Sequence, residues 1–234
     1  MEIQGPLIKG RFIERPNRFL TIVKIGNKSV ESHLPDPGRL REILTPGREL
    51  YLRKVIESEH RKTEYSTILA RYNGELVSLV SALPNQFVKE CINSRILSFL
   101  KELELVKPEI VYGNHRFDFL LKDKFGDPFY LEVKSVTYVE NGVAEFPDAV
   151  TIRGKRHVQS LHALVENGFQ AGILFVVQRS DAHIFQPMWE RDPKFGKALF
   201  NAFHGGVHVW CITTSISKTD MTFKKEIPVN LQRI

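Results

Sequence analysis

The sequence predicts an α/β chain in two parts, a small five-stranded barrel over residues 1–84 and a larger α/β domain over residues 85–234. Two glycine turns, a change of periodicity after Pro84 and a later alternation of helix with strand carry that reading. Residues 19–25 and 28–33 read as strands joined at Gly26 and Asn27. Residues 63–72 and 75–81 flank Asn73-Gly74, the strongest short-range hairpin signal in the chain. A further strand, residues 49–55, follows the turn Thr45-Pro46-Gly47, and Pro37, Arg39, Leu40 and Ile43 suit one or two helical turns. Such a strand count suits a barrel of OB type, and equally a meander on a larger sheet.

Beyond Pro84 the apolar period lengthens. Asn85 is an N-cap residue type, and Phe87, Val88, Cys91, Ile92, Leu97 and Leu100 recur at helical spacing as far as Lys101. Residues 116–121 and 129–136 are strand-like, and residues 153–167 read as a helix stopped by Gly168. The apolar run 171–178 marks a strand buried on both faces. A third helix over 193–203, a strand over 207–213 and a tail over 223–231 complete the order expected of a sheet with helices on its faces.

Composition narrows the function classes. The 33 Lys and Arg exceed the 27 Asp and Glu, and residues 1–84 hold 14 basic against 10 acidic, so most of the surplus sits in the smaller part and favours a polyanionic partner. No apolar run is long enough to span a membrane, and the first residues lack the apolar core of a secretory signal. Cys91 and Cys211 are too few for a disulfide framework, so a reducing cytoplasm is expected. The histidines His33, His60, His115, His204 and His208 form no zinc spacing, and no phosphate-cradling G-x-x-x-x-G-K-[ST] loop occurs.

The chemistry concentrates in Arg116-Phe117-Asp118 and, fourteen residues after the aspartate, Glu132-Val133-Lys134. Period-2 geometry sets Glu132 and Lys134 on one side with Tyr130 and Val136, while Leu131 and Val133 face the other. Charges inside apolar strands are costly to bury unless they pair or hold a metal. If the two strands form a hairpin, Asp118 and Glu132 face each other and share one hard cation, Mg²⁺ or Mn²⁺. Lys134 then orients water or stabilises phosphoryl oxygens. The competing reading is an ion pair on a solvated strand face.

This trio, with a helix before it and a helix and strand after, resembles the PD-(D/E)XK nuclease superfamily, although Phe117 stands where that motif has proline. More narrowly, the chain resembles the sugar fermentation stimulation protein A family. The likeness runs through Leu83-Pro84-Asn85, Arg116-Phe117-Asp118, Glu132 to Thr137, Phe146 to Ala149, Thr151, Arg153-Gly154, His157 and Leu174 to Gln178. The resemblance implies an N-terminal OB-fold, a C-terminal nuclease-like domain and DNA as partner, with Asp118, Glu132 and Lys134 as catalytic residues. It adds the helical Glu90 as a third metal carboxylate beside Asp118 and Glu132; otherwise Glu90 sits on the solvated face of a helix.

Two basic clusters are candidate DNA contacts. Arg153, Lys155, Arg156 and His157 open the second helix, where free N–H groups and the helix dipole favour a phosphate, and Asp148 or Thr151 is the expected cap. In the barrel Arg11, Arg15 and Arg18 interleave with Phe12, Phe19 and Tyr51 as possible stacking platforms. The alternative throughout is a DNA-binding regulator that keeps the fold without turnover.

Overall fold

The computed structural model describes residues 1–55, 62–113 and 115–233; His60 lies outside them. The N-terminal part is built from β1 (Leu7–Asn17), β2 (Leu20–Ile25), β3 (Lys28–His33), β4 (Glu49–Lys54), β5 (Tyr65–Tyr72) and β6 (Glu75–Ser78). Its strand order is β3-β2-β1-β4-β5-β6, and a parallel β3–β5 pairing closes five of them into an OB-like barrel. Strand β1 was hidden in sequence by its lysines and arginines, which alternate outward while Gly10 and Phe12 turn in. Gly10 is needed there: a Cβ would lie 2.5 Å from the Val23 side chain across the barrel.

Of the one or two helical turns expected near Pro37, a single turn forms, closed by Leu44 N–H on the Leu40 carbonyl at 2.8 Å, and no helix runs back from it to Pro37. Asp36 accepts from Gly38 N–H, Asp148 accepts from Arg39 and Leu40 N–H, and Leu40 sits at φ 51°, so the donors that would start a helix are spent on carboxylates.

The second part runs α1 (Leu83–Asn93), β7 (Glu104–Tyr112), β8 (His115–Lys122), β9 (Pro128–Val136), β10 (Val139–Glu140), β11 (Val143–Phe146), α2 (Ile152–Glu166), β12 (Gln170–Val177), β13 (Ile184–Pro187), α3 (Pro193–His204), β14 (His208–Ile216) and β15 (Met221–Glu226). The main sheet has the order β15-β14-β12-β9-β8-β7, with β12 parallel to both β9 and β14. One face packs on α2 and α3 through Val158, Leu161, Phe195 and Leu199; the other packs on α1 and on Tyr51, Ile68 and Leu69 of the barrel. The barrel thus shares a core with the sheet, and Val23, Leu34, Leu50 and Leu52 are among the side chains that fill its own interior.

Helix α1 is shorter than expected and begins earlier. Ala82 is its N-cap with no side-chain bond, Pro84 lies in the first turn, and Arg95 at φ 54° ends the run that the apolar spacing extended to Lys101. The first part of the tail belongs to a strand, β15, paired antiparallel with β14. Edge strand β7 escaped the periodic reading because it is mostly exposed and contains Pro108. No helix among the described residues is long and apolar enough to cross a membrane.

Candidate active site

Between barrel and sheet lies a cleft of about 740 Å³, walled by Asp36, Pro37 and Gly38 on one side and by Asp118, Glu132 and Lys134 on the other. Its geometry begins with an interrupted strand pairing. Strands β8 and β9 are in register from Lys122↔Pro128 to Phe119↔Leu131 and stop there. Phe117 packs on the α2 side of the sheet and Phe119 on the α1 side, so β8 breaks its alternation at Asp118. Glu109, between the β7 partners of Phe117 and Phe119, has φ 53°. The Asp118 carboxylate takes the place of a ladder acceptor: its Oδ2 receives Val133 N–H at 2.7 Å and its Oδ1 receives Asn85 Nδ2 at 2.6 Å. Burial, then the nearby Glu132 charge, pushes Asp118 up to about 6.

Glu132 points to the α2 side of β9 as period 2 requires, and its side chain is 4% exposed. Its Oε1 accepts both Lys134 Nζ and His157 Nδ1, the latter at 2.5 Å. Burial pushes Glu132 up, but the His157 hydrogen bond and the Lys134 charge outweigh it and hold the carboxyl below its usual range. Its other oxygen, Oε2, is buried with no hydrogen-bond partner. An ionised carboxylate with an unspent buried oxygen, beside a second carboxylate, is short of positive charge and of one ligand.

His157 is fixed from both ends. Arg153 Nε donates to its Nε2 at 3.5 Å, and that contact assigns the proton to Nδ1, which Glu132 receives. Thr151 is the N-cap of α2, accepting from Gly154 N–H at 3.0 Å, so the first turn is held where Arg153 lines the cleft.

Several expected site residues stand elsewhere. Glu90 does not join Asp118 and Glu132: it lies outside the cleft, about half exposed, with its carboxylate 3.3 Å from the Met1 ammonium. The α1 residue that does reach the site is Asn85, five positions earlier and so on another face of the helix; it holds Asp118 and is not the N-cap. His157 is not a surface phosphate contact but a buried partner of Glu132. Arg15 spends its guanidinium on the carbonyls of Arg39, Arg18 and Asp36 and braces the barrel loop. Arg11 pairs with Gly47 O and Glu49 at a different surface. Arg18 does line the cleft, Arg156 is exposed and Lys155 half-buried. Of the stacking platforms Phe12 and Tyr51 are core, and Phe19 alone is open, half exposed beneath the Arg18 guanidinium. Asp148 does not cap α2, which Thr151 does; it bridges to the barrel through Arg39 and Leu40 N–H.

The comparisons with known proteins follow this anatomy. Residues 82–220 match the family model of the sugar fermentation stimulation protein RE domain, and residues 13–79 that of the SfsA N-terminal OB domain. The chain belongs to the sugar fermentation stimulation protein family. Family members from Clostridium tetani and Desulforamulus reducens, each a sugar fermentation stimulation protein homolog, are 38% and 39% identical to it. Those alignments cover 99% and 96% of this chain and 100% and 93% of the relatives. Among solved structures, Pyrococcus furiosus SfsA in complex with Ca²⁺ matches with a TM-score of 0.89 at 27% identity, covering 98% of both chains. Family membership accounts for the barrel and the α/β domain together.

Proposed function

We propose that the cleft is a divalent-metal-dependent phosphodiesterase site acting on DNA. The observation that carries the reading is the buried, unpartnered Oε2 of Glu132 beside Asp118, with Lys134 two residues along the same strand. Two carboxylates make a hard, all-oxygen donor set that fits Mg²⁺ or Mn²⁺. Among the described residues no group of three His, Cys, Asp or Glu side chains is placed to hold a metal. A site completed by water and phosphate oxygens suits such a pair, because Mg²⁺ keeps several waters. The Ca²⁺ named with the Pyrococcus furiosus relative is likewise a hard, oxygen-seeking cation.

When bound, the cation would supply Lewis-acid charge at the phosphoryl oxygens and lower the pKa of a water. The chain's own residues do the rest. Asn85 and Val133 N–H aim the Asp118 carboxylate, and His157 holds Glu132 on one oxygen so that the other stays open. Lys134, tethered to Glu132 and 14% exposed, presents its ammonium to the attacking water or the developing phosphoryl charge. Arg153 and the first turn of α2 receive a neighbouring phosphate, and Arg18 does so from the barrel.

The test is cleavage of duplex, single-stranded and branched DNA with and without Mn²⁺, beside Lys134→Ala. Cutting that requires Mn²⁺ and falls about 10²-fold in the variant supports the reading. Native protein that binds DNA at low salt and cuts none of these substrates would replace it with a non-catalytic DNA-binding regulator. A steep loss of affinity with added salt is expected in either case, as counterions are released from the phosphates.

A further inference from the structure

At the mouth of the cleft, Val150 in the segment joining β11 to α2 and Ile152, the first residue of α2, are 65% and 68% exposed. Single exposed aliphatics are ordinary. These two are unusual in how rigidly they are offered. Thr151 lies between them at φ −126°, ψ 94°, an extended geometry that sends its two neighbours to the side opposite its own. Thr151 itself is turned inward: its hydroxyl caps α2 through Gly154 N–H, and its N–H donates to Asp192 Oδ2 at 2.8 Å. Asp192 is buried and caps α3 with its other oxygen, so the tip is anchored to two helix ends at once. Further back, the Asp148 carbonyl accepts Arg191 Nη1 at 2.8 Å and the Asp148 carboxylate holds the barrel loop. A segment anchored on both sides of its tip, at Asp148 and at Thr151, with its apolar side chains left in water, is preorganised for a partner.

Charge complementarity selects the partner. Immediately after the apolar pair, Arg153, Lys155 and Arg156 follow on α2, whose first turn contains no acidic residue. Arg18 stands on the barrel lip of the same cleft, with its guanidinium 5.9 Å from the centroid of the half-exposed Phe19 ring. Apolar tips flanked by cations match a strand that alternates bases with phosphates. The acidic pair is also recessed: Glu132 lines the cleft and its side chain is 4% exposed, so a single strand reaches it more readily than a duplex does.

The geometry points to a substrate preference: Val150 and Ile152 form a rigid wedge that packs against the bases of an unpaired DNA strand, while the basic turn of α2 holds its phosphates. This deepens the reading of the cleft as a DNA phosphodiesterase site and rests on it.

The experiment is equilibrium binding of a fluorescein-labelled single strand and of the matching duplex, without metal and at low salt. It compares the native protein with Val150→Ser/Ile152→Ser and with Val150→Met/Ile152→Met; both changes lie on the surface, and thermal melts check folding. Native protein should favour the single strand by about tenfold. The serine pair should lose about tenfold on that strand and little on the duplex, and the methionine pair, which keeps apolar area, should retain most of it. A 2-aminopurine placed in the strand should brighten on binding native protein and not on binding the serine pair. Equal affinity for strand and duplex, or an equal change on both, overturns the wedge and leaves DNA as the partner. Failure of the native protein to bind either DNA overturns both readings. Loss of a dimer on serine substitution, seen by light scattering, would assign the patch to a second copy of the chain and overturn the wedge.

Discussion

The cleft has two walls, and each holds a pair of carboxyls with one fixed cation. On the sheet wall Asp118 and Glu132 stand with Lys134; on the facing side Asp36 of the barrel, and Asp148 reaching the barrel from the β11–α2 segment, stand with Arg15. Burial first, and then the neighbouring acid among the lesser causes, raises Asp36 and Asp118 alike to about 6. By charge alone the two walls are twins. They differ in what their oxygens are doing. Asp36 takes Gly38 N–H and Asp148 takes Arg39 and Leu40 N–H, so the barrel pair is engaged in holding a loop, whereas Glu132 keeps a buried oxygen that nothing in the fold engages. Unspent hydrogen-bonding capacity separates a ligand site from a structural latch where acidity does not.

The sharpest test of that difference removes one carboxylate from each wall. Asp118→Asn and Glu132→Gln should each reduce DNA cleavage by at least about 10³-fold and abolish the Mn²⁺ heat in calorimetry, while Asp148→Asn leaves both largely in place. Stability should separate the two sheet-wall variants. Glu132→Gln leaves the Lys134 ammonium, 14% exposed, without its counter-charge and should cost about 3 kcal/mol in urea unfolding. Asp118→Asn should instead stabilise the protein by about 1–2 kcal/mol at pH 7, because it relieves a buried charge beside Glu132. The gain is held to that size because Asn85 Nδ2 and Val133 N–H both donate to Asp118, and an amide has one acceptor to answer them. A destabilised Asp118→Asn would mean that the sheet wall, like the barrel wall, is a latch.

The pH dependence carries a contribution from each wall, since Asp36 and Asp118 are both raised to about 6, and substitution separates them. A carboxyl whose folded pKa is raised keeps its proton in the folded chain over a window in which the unfolded chain has lost it. Stability from Asp36 is therefore full below about pH 4 and falls as pH rises to about 6. For a side chain this buried the loss reaches about 2–3 kcal/mol, and Asp36→Asn should flatten the curve by that much across the window. Unfolding free energies of the variant that track the native curve between pH 4 and 6 would remove Asp36 as a contributor.

Next in size is His157. Its removal frees Glu132 to turn on its strand, so His157→Ala should weaken Mn²⁺ binding about 10–100-fold, and His157→Gln should restore part of it by donating from its amide. Calorimetry without DNA reads this directly, and an unchanged affinity would show that Lys134 alone orients the carboxylate.

Much of this was legible in the sequence, and the parts that were not have physical reasons. Period 2 placed Glu132 and Lys134 on one face because β9 is a regular, buried strand. The same rule set Asp118 directly opposite Glu132 in a continuous hairpin, whereas the pairing ends at Phe119↔Leu131 and Asp118 bonds the backbone instead. A break in a ladder leaves no trace in residue periodicity. Asn85 was found as a helix cap and Arg15 as a phosphate contact, since a side chain's donors are visible in sequence and their recipients are not. The signal for Glu90 was the resemblance, and helix phase alone places it five residues beyond Asn85 and turned away from the cleft.

The smallest effect concerns how the two walls are joined. A Cβ on Gly38 would lie 2.7 Å from Asp148 Oδ2 and 2.9 Å from Asp36 Oδ1, so Gly38→Ala must displace both carboxylates and loosen the hold on Arg39 and Leu40 N–H. The expected cost is about 1 kcal/mol, since the atoms it meets are side-chain ends that can shift. Asp148→Ala removes the same hydrogen bonds without the clash. If Gly38 acts through Asp148, most of its cost should vanish in the Asp148→Ala background, a coupling readable in a double-mutant cycle by urea unfolding. Additive losses would instead confine Gly38 to the turn that Asp36 closes, and the walls would be joined through Asp148 alone.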